Sequence, residues 1–138
     1  MDLKGIKIGF GLTGSFYLLE KAIVQIKGLV EKGAIIIPIM SQSVYTLDTK
    51  FGNAKKIISE VEEITGKKII HTLKGAEPIG SRHLTDIMII APCSGNTLAK
   101  LSNGITDGPI LMAARANFRN NKPLVIGIST NDGLSRKC

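Results

Sequence analysis

Small polar residues gather at two turns of this chain, and their types suit them to hold a phosphate or another anionic ligand. The first turn is Gly11-Leu12-Thr13-Gly14-Ser15 and the second is Pro92-Cys93-Ser94-Gly95-Asn96-Thr97. Hydroxyl and amide side chains beside glycines donate and accept hydrogen bonds where a helix begins. The free N–H groups of a first helical turn attract anions as well. Ser94 and Asn96 equally suit capping of the following helix, the ordinary use of such residues. Ser41 and Ser43 bring further hydroxyls at a third turn. The two cysteines, Cys93 and Cys138, make neither a CxxC pair nor a disulfide framework, so no metal site is expected and a reducing compartment fits. Cys93 reads as a small buried thiol.

These turns need strands and helices to place them, and the hydrophobic pattern supplies both. Ile6 to Leu12 is a short apolar strand, and from Phe16 a helical period takes over, with Leu19, Ala22, Ile23, Ile26, Leu29 and Val30 on one face and Gly33 as the stop. Ala34 to Met40 reads as a buried strand in which Pro38 predicts a bulge or an irregular ladder. Ser41 to Gly52 is loop-like. Asn53 opens a second amphipathic helix, with Ala54, Ile57, Ile58, Val61 and Ile64 inward and Gly66 as cap. Lys68 to Ile70 is a candidate short strand.

Gly75, Pro78 and Gly80 punctuate the stretch from His71 to Thr85, which predicts a loop or a single turn. Asp86 to Ala91 is the central strand, ended by Pro92, which cannot donate to a sheet ladder. Helices over Asn96 to Ser102 and Pro109 to Asn120 follow, the latter entered through a proline at its first turn, and Leu124 to Ser129 is the last strand. Apolar runs alternating with amphipathic helices predict an α/β fold, a Rossmann-like doubly wound parallel sheet in a three-layer α/β/α arrangement. In such a sheet, ligands sit beyond the carboxyl ends of the strands, where all three polar turns fall.

At 138 residues the chain fits one domain, 1–138, with no repeat or linker. No apolar run approaches the ~20 residues that span a bilayer, and the start lacks the pattern of a cleaved signal, so a cytoplasmic protein away from membranes is expected. The formal net charge is +7, but Lys and Arg are scattered and aromatics are only 4%, so nucleic acid is not the expected partner.

Gly9, Gly11 and Gly14 form a GxGxxG pattern after the first strand, which alone points to a dinucleotide. An NAD site also needs an acidic residue at the end of the second strand to hold the ribose, and here that strand ends in Ser41-Gln42-Ser43. A single phosphate at Thr13, Gly14 and Ser15 is what remains.

Gly11 to Ser15 (GLTGS) together with Ala91 to Leu111 (APCSGNTLAKLSNGITDGPIL) resembles the FMN-binding flavoprotein family that includes the peptidyl-cysteine and phosphopantothenoylcysteine decarboxylases. The family hallmark reads Pro-Ala-Ser-Ala-Asn-Thr; here it reads Pro92-Cys93-Ser94-Gly95-Asn96-Thr97, with Lys100, Gly104 and Asp107 at matching places. Lys4 to Ser15, Ala76 to Gly80 and Asn120 to Asp132 extend the likeness over nearly the whole chain, toward a branch of flavoprotein-type B subunits. The resemblance implies FMN as cofactor, with Gly14 and Ser15 meeting its phosphate, Ser41 near the flavin, and Ser94, Asn96 and Thr97 on the flavin or its ribityl chain. Gly11, Thr13, Ser43, Pro92 and Gly95 complete the expected cofactor-binding set.

It further implies FMN at a subunit interface of a homo-oligomer, often a trimer. The implied partner is an A subunit of Rossmann type that binds NADP, and the implied reaction is oxidation of a dihydrodipicolinate-type precursor to dipicolinate during spore formation, in the mother-cell cytoplasm. An FMN-dependent decarboxylase and a non-catalytic structural subunit are the alternatives. The cysteine decarboxylases carry a catalytic His shortly before the central strand, where this chain has Pro78, while His83 is out of register. No catalytic residue is assigned, and His71 and His83 read as loop or surface residues. Similar proteins continue for several tens of residues past Ser129-Thr130-Asn131-Asp132, so the sequence also leads us to expect a fold truncated at its C-terminus, with one face of the last strand uncovered.

Overall fold

A computed structural model describes residues 2–14, 16–46, 48–49 and 52–128. Ser15 and residues 129–138 lie outside that set, and with them the expectations placed on Ser15 and on the ending.

The first apolar run forms strand β1 (Lys7–Leu12) and leads into helix α1 (Phe16–Glu31). Gly33, at φ +94°, stops that helix in the left-handed conformation a side chain disfavours. Strand β2 (Ile35–Met40), the short helix α2 (Gln42–Thr46) and a two-residue pairing of β3 (Asp48–Thr49) with β4 (Gly52–Asn53) come next. Then follow α3 (Ala54–Thr65), α4 (Leu73–Ser81), β5 (Ile87–Cys93), α5 (Gly95–Ser102), α6 (Pro109–Arg119) and β6 (Leu124–Ile128). The main sheet is parallel throughout, in the order β2-β1-β5-β6.

Alternate side chains of each strand feed two cores, which is why the strands read as nearly continuous apolar runs. Ile8, Phe10 and Leu12 of β1 pack with Leu19, Ile23 and Ile26 of α1 and with Ile57 and Val61 of α3. On the opposite face Met88, Ile90 and Cys93 of β5 pack with Ile79 of α4 and with Ile110, Ala113 and Ala114 of α6. The result is the expected three-layer, doubly wound α/β arrangement. Each fully buried Leu, Ile or Phe contributes on the order of 1.5–3 kcal/mol. Ile26→Ala, at the centre of the α1 contact, would cost about 2–5 kcal/mol.

Several local expectations are corrected. Pro38 causes no bulge: the β1–β2 register runs unbroken from Lys7↔Ile35 to Leu12↔Met40. The Pro38 carbonyl accepts the Ile70 N–H at 2.9 Å and the Met40 N–H donates to Ile70. Residues 38 and 40 therefore point away from β1, so the proline's missing N–H takes nothing from that ladder. Lys68 to Ile70 forms no strand of its own, only a single bridge between Ile70 and Ile39.

The polar stretch after β2 is not all loop, because Ser41 Oγ accepts the Val44 N–H at 3.3 Å at the start of α2. Likewise His71 to Thr85 is mostly helix. Thr72 caps α4 by accepting the Gly75 N–H at 2.9 Å, and Pro78 is accommodated within that helix. Gly80 explains the tolerance: a Cβ there would stand 2.9 Å from Ala116 Cβ, so a bare backbone lets α4 lie close on α6. Packing outweighs the local helix-breaking signal.

Pro92 does not end the central strand, which continues to Cys93 with a register shift between Ile90 and Cys93 against β6. The Ala91–Pro92 peptide is cis. Among the described residues β6 is an edge strand of the sheet, with Val125 and Ile128 exposed at 49% and 45%.

Candidate functional site

At the carboxyl end of the sheet, β1, β2 and β5 each deliver a polar turn to one place. Thr13 joins the first to the third. Its Oγ1 donates to the Pro92 carbonyl at 2.7 Å and accepts the Ser94 N–H at 2.9 Å, while its own N–H bonds Pro92 at 3.2 Å. Thr13 is only 1% exposed, so these bonds hold in a dry setting where leaving them unmade would be costly. The second turn is tied in by the Ser41 N–H, which donates to the Leu12 carbonyl at 3.2 Å.

Ser94 is the N-cap of α5. Its Oγ accepts the Thr97 N–H at 3.1 Å and donates to Thr97 Oγ1 at 2.9 Å. That arrangement leaves the hydroxyl hydrogen of Thr97 to point elsewhere. Ser41, accepting from Val44, keeps its hydroxyl hydrogen in the same way.

Between these turns lies a cleft of about 160 Å³. Thr13, Ser41 and Ser43 form one wall, and Asn96 and Thr97 of α5 another. The third is the start of α6, from Gly108 to Leu111. Gly108 is the N-cap of α6 without any side-chain cap, and Pro109 follows it with no N–H to satisfy. The cleft therefore combines hydroxyl and amide donors with the apolar side chains of Ile110 and Leu111. This is the usual make-up of a small-ligand site.

Of the residues singled out in the sequence, Thr13, Ser41, Ser43, Asn96 and Thr97 line this cleft. Gly14 adopts φ +79°, and a Cβ there would meet Ser94 Cβ at 3.5 Å, so it brings the first turn against the third. Pro92, Ser94 and Gly95 stand behind the lining, as hydrogen-bond acceptor, cap and first helical residue. Gly11 is different. A Cβ on it would lie 3.3 Å from Ile110 Cγ1 and Cγ2, so its bareness seats α6 on β1.

Sequence reasoning missed the α6 wall and an ion pair on its rim. Lys100 of α5 donates from Nζ to Asp107 Oδ2 at 2.9 Å, and both line the cleft with Gln42. The signal available was the uncapped Gly108-Pro109 start of a helix, together with Lys100 and Asp107 in the family-like pattern. Neither histidine lines the cleft. His71 stacks on Tyr45 of α2 with ring centroids 3.7 Å apart, and His83 is exposed at φ +50°. Burial raises the Cys93 thiol above its usual pKa, so the one cysteine of the hallmark is kept protonated and unreactive. Among the described residues no group of three His, Cys, Asp or Glu side chains is placed to hold a metal, and no helix is long and apolar enough to cross a membrane.

The donor set fits FMN better than NAD. The end of β2 offers Ser41, Gln42 and Ser43 and no acid for a ribose diol, whereas free hydroxyl hydrogens at Ser41 and Thr97 and the amide of Asn96 suit a ribityl chain or a flavin edge.

Three comparisons agree with this geometry. The family model described as Flavoprotein matches residues 1–132. The chain is 46% identical over 133 residues to the B subunit of dipicolinate synthase from Bacillus subtilis (strain 168), covering 96% of this chain and 66% of that protein. It thus spans just under two thirds of that relative's length. The crystal structure of the corresponding dipicolinate synthase B subunit from Bacillus halodurans superposes with a TM-score of 0.87 at 43% identity, covering 99% of this chain and 70% of that one. A crystal structure of AnUbiX (PadA1) in complex with FMN and dimethylallyl pyrophosphate shares the fold at TM-score 0.74 and 22% identity, covering 95% of this chain and 68% of that one.

Proposed function

The chain belongs to the Flavoprotein family, and on that premise we propose that it is the FMN-binding B subunit of a dipicolinate synthase, working as a single domain. It acts with an A subunit that binds NADP, and the pair oxidises a dihydrodipicolinate-type precursor to dipicolinate in the mother-cell cytoplasm of a sporulating bacterium. A homo-oligomer, trimeric or a multiple, completes the cofactor site. The observation that carries the reading is the cleft at the carboxyl end of the sheet, where hydroxyls from three turns converge and the acidic ribose partner of an NAD site is missing. The 46% identity to the B subunit of such an enzyme supports this reading within the family.

In that role Gly14 and Ser15 receive the FMN phosphate, while Ser41, Asn96 and Thr97 orient the ribityl chain and ring by donating hydrogen bonds. Thr13 and Ser94 fix those donors in place, and Ile110 and Leu111 exclude water from the apolar side. A bound flavin supplies reversible two-electron chemistry. His71 and His83 do not line the cleft of this chain, which favours the oxidoreductase reading over the decarboxylase alternative.

Titration of the purified protein with FMN and with NAD tests the reading, by calorimetry and flavin fluorescence. FMN binds and NAD does not. Binding of NAD without any response to FMN would overturn it.

A further inference from the structure

Among the described residues, the charged groups that line the cleft are Lys100 and Asp107, and they face each other across its rim. Lys100 sits in the last turns of α5, and Asp107 in the segment that leads from α5 into α6. The ammonium and the carboxylate meet at 2.9 Å, with Lys100 one-third exposed and Asp107 about half exposed. An exposed pair of this kind contributes little to stability, since solvent screens it and both side chains lose freedom in forming it. Its position is therefore more informative than its energy. One cation, otherwise out of place in a wall of hydroxyls and apolar groups, is presented to the cleft with a carboxylate already seated on it.

We propose that Lys100 is the specificity-determining residue of the cleft, recognising a carboxylate of the substrate, and that Asp107 holds the ammonium in the empty site and gives it up when that carboxylate arrives. The inference rests on the flavoprotein reading above. The Asp107 carboxylate shows which chemistry Lys100 accepts at that spot, because it is itself a carboxylate at charge-assisted hydrogen-bonding distance. Gly108 brings an α6 terminus with no capping side chain beside Asp107, while Asn96 and Thr97, at the start of the helix that carries Lys100, are left to the flavin. Exchange of one carboxylate for another leaves the local charge count unchanged on Lys100 and releases Asp107 to solvent, where it is already about half exposed. A ligand without an acid group gains nothing from the exchange, and the cleft thereby selects acids.

The test uses pyridine-2,6-dicarboxylate as probe, titrated calorimetrically into the full chain, with or without added FMN, together with FMN and riboflavin titrations. Lys100→Met weakens the dicarboxylate by about tenfold, the value of one charge-assisted hydrogen bond, and Lys100→Arg retains most of the affinity. Asp107→Asn strengthens it, since the competing carboxylate is gone. The preference for FMN over riboflavin is the same in all four proteins. Unchanged dicarboxylate affinity in Lys100→Met would overturn the proposal, as would loss of the FMN preference, which would assign Lys100 to the cofactor phosphate instead. Both lysine variants are checked by thermal melting, where a partly exposed side chain leaves the midpoint nearly unmoved. If the unsubstituted chain takes up no flavin, the flavin reading fails on its own, while the dicarboxylate titration still decides the role of Lys100.

Discussion

Thr13 and Ser94 are 81 positions apart in sequence, yet the Ser94 N–H donates to the Thr13 hydroxyl at 2.9 Å, and the same hydroxyl donates to the carbonyl of Pro92. One side chain thus closes the gap between the ends of two adjacent strands. Thr13→Val keeps the shape and removes both bonds, leaving a buried acceptor and a donor poorly satisfied. It lowers stability by about 2 kcal/mol in urea denaturation, and FMN affinity falls with it. Thr13→Ser retains both properties, which distinguishes loss of the hydroxyl from loss of the methyl.

A second buried polar pair lies at the opposite end of the sheet. The Thr85 hydroxyl donates to Asn117 Oδ1, and Asn117 Nδ2 donates to the Pro123 carbonyl at 3.0 Å, which ties the end of α6 to the approaches of β5 and β6. Asn117→Leu leaves the Thr85 hydroxyl without its acceptor and takes one of two donors from the Pro123 carbonyl, which keeps the Met88 N–H at 3.0 Å, and it costs about 1–3 kcal/mol in denaturant midpoint measurements. Ligand affinity at the cleft stays within error, because the pair is remote from it.

Cys93 sets a pH dependence. Burial raises its folded-state pKa above the usual 9.0, so the folded protein keeps the proton that the unfolded chain releases. The stability from this group is fully present below about pH 9, and is lost progressively as pH rises from there through the folded value. Melts between pH 7 and 11 show a steeper alkaline decline for the natural protein than for Cys93→Ala. At pH 8, alkylation mapped by mass spectrometry leaves Cys93 unmodified until denaturant is added.

Gly11 separates packing from ligand contact. A Cβ at this position would lie 3.3 Å from Ile110 and 3.4 Å from Met88 Cε. Gly11→Ala therefore pushes against the first turn of α6, at a cost of about 1–3 kcal/mol. Thermal melting registers the loss even with no ligand present. A variant with unchanged stability and abolished FMN binding would place Gly11 on the cofactor instead.

Much of the frame was legible because it is local. The α1 face of Leu19, Ile23 and Ile26 and the apolar run of β5 announce their partners through period alone. The turns at Thr13 and Ser94 were legible for the same reason, being strand ends followed by helix starts, whereas the short helix α2 after Ser41 was not, since Ser41 to Gly52 reads as loop. What stayed hidden depends on distant residues. Gly75, Pro78 and Gly80 read as breakers until Ala116 is seen against Gly80, which turns a liability into a close helix contact. Gly9 and Gly11 spell a nucleotide motif, but a Cβ on Gly9 would meet Thr85 Cγ2 at 2.9 Å, so the pattern records how the sheet is covered. Lys100 and Asp107, seven positions apart, carry no periodic signal, and only the approach of α5 to the start of α6 brings them to one rim.

The stacking of Tyr45 on His71 gives the molecule an optical handle of its own. The chain has no tryptophan and two tyrosines, so its near-ultraviolet emission is tyrosine emission. Tyr45 belongs to α2, the helix whose Gln42 and Ser43 face the cleft, and its ring lies nearly parallel to the imidazole, 6° apart in plane. A shift of α2 against the Ile70 bridge unstacks the rings and changes the quenching of Tyr45. A ligand that moves α2 would then be readable as intrinsic fluorescence, with Tyr45→Phe as the control that leaves Tyr17 as the one emitter.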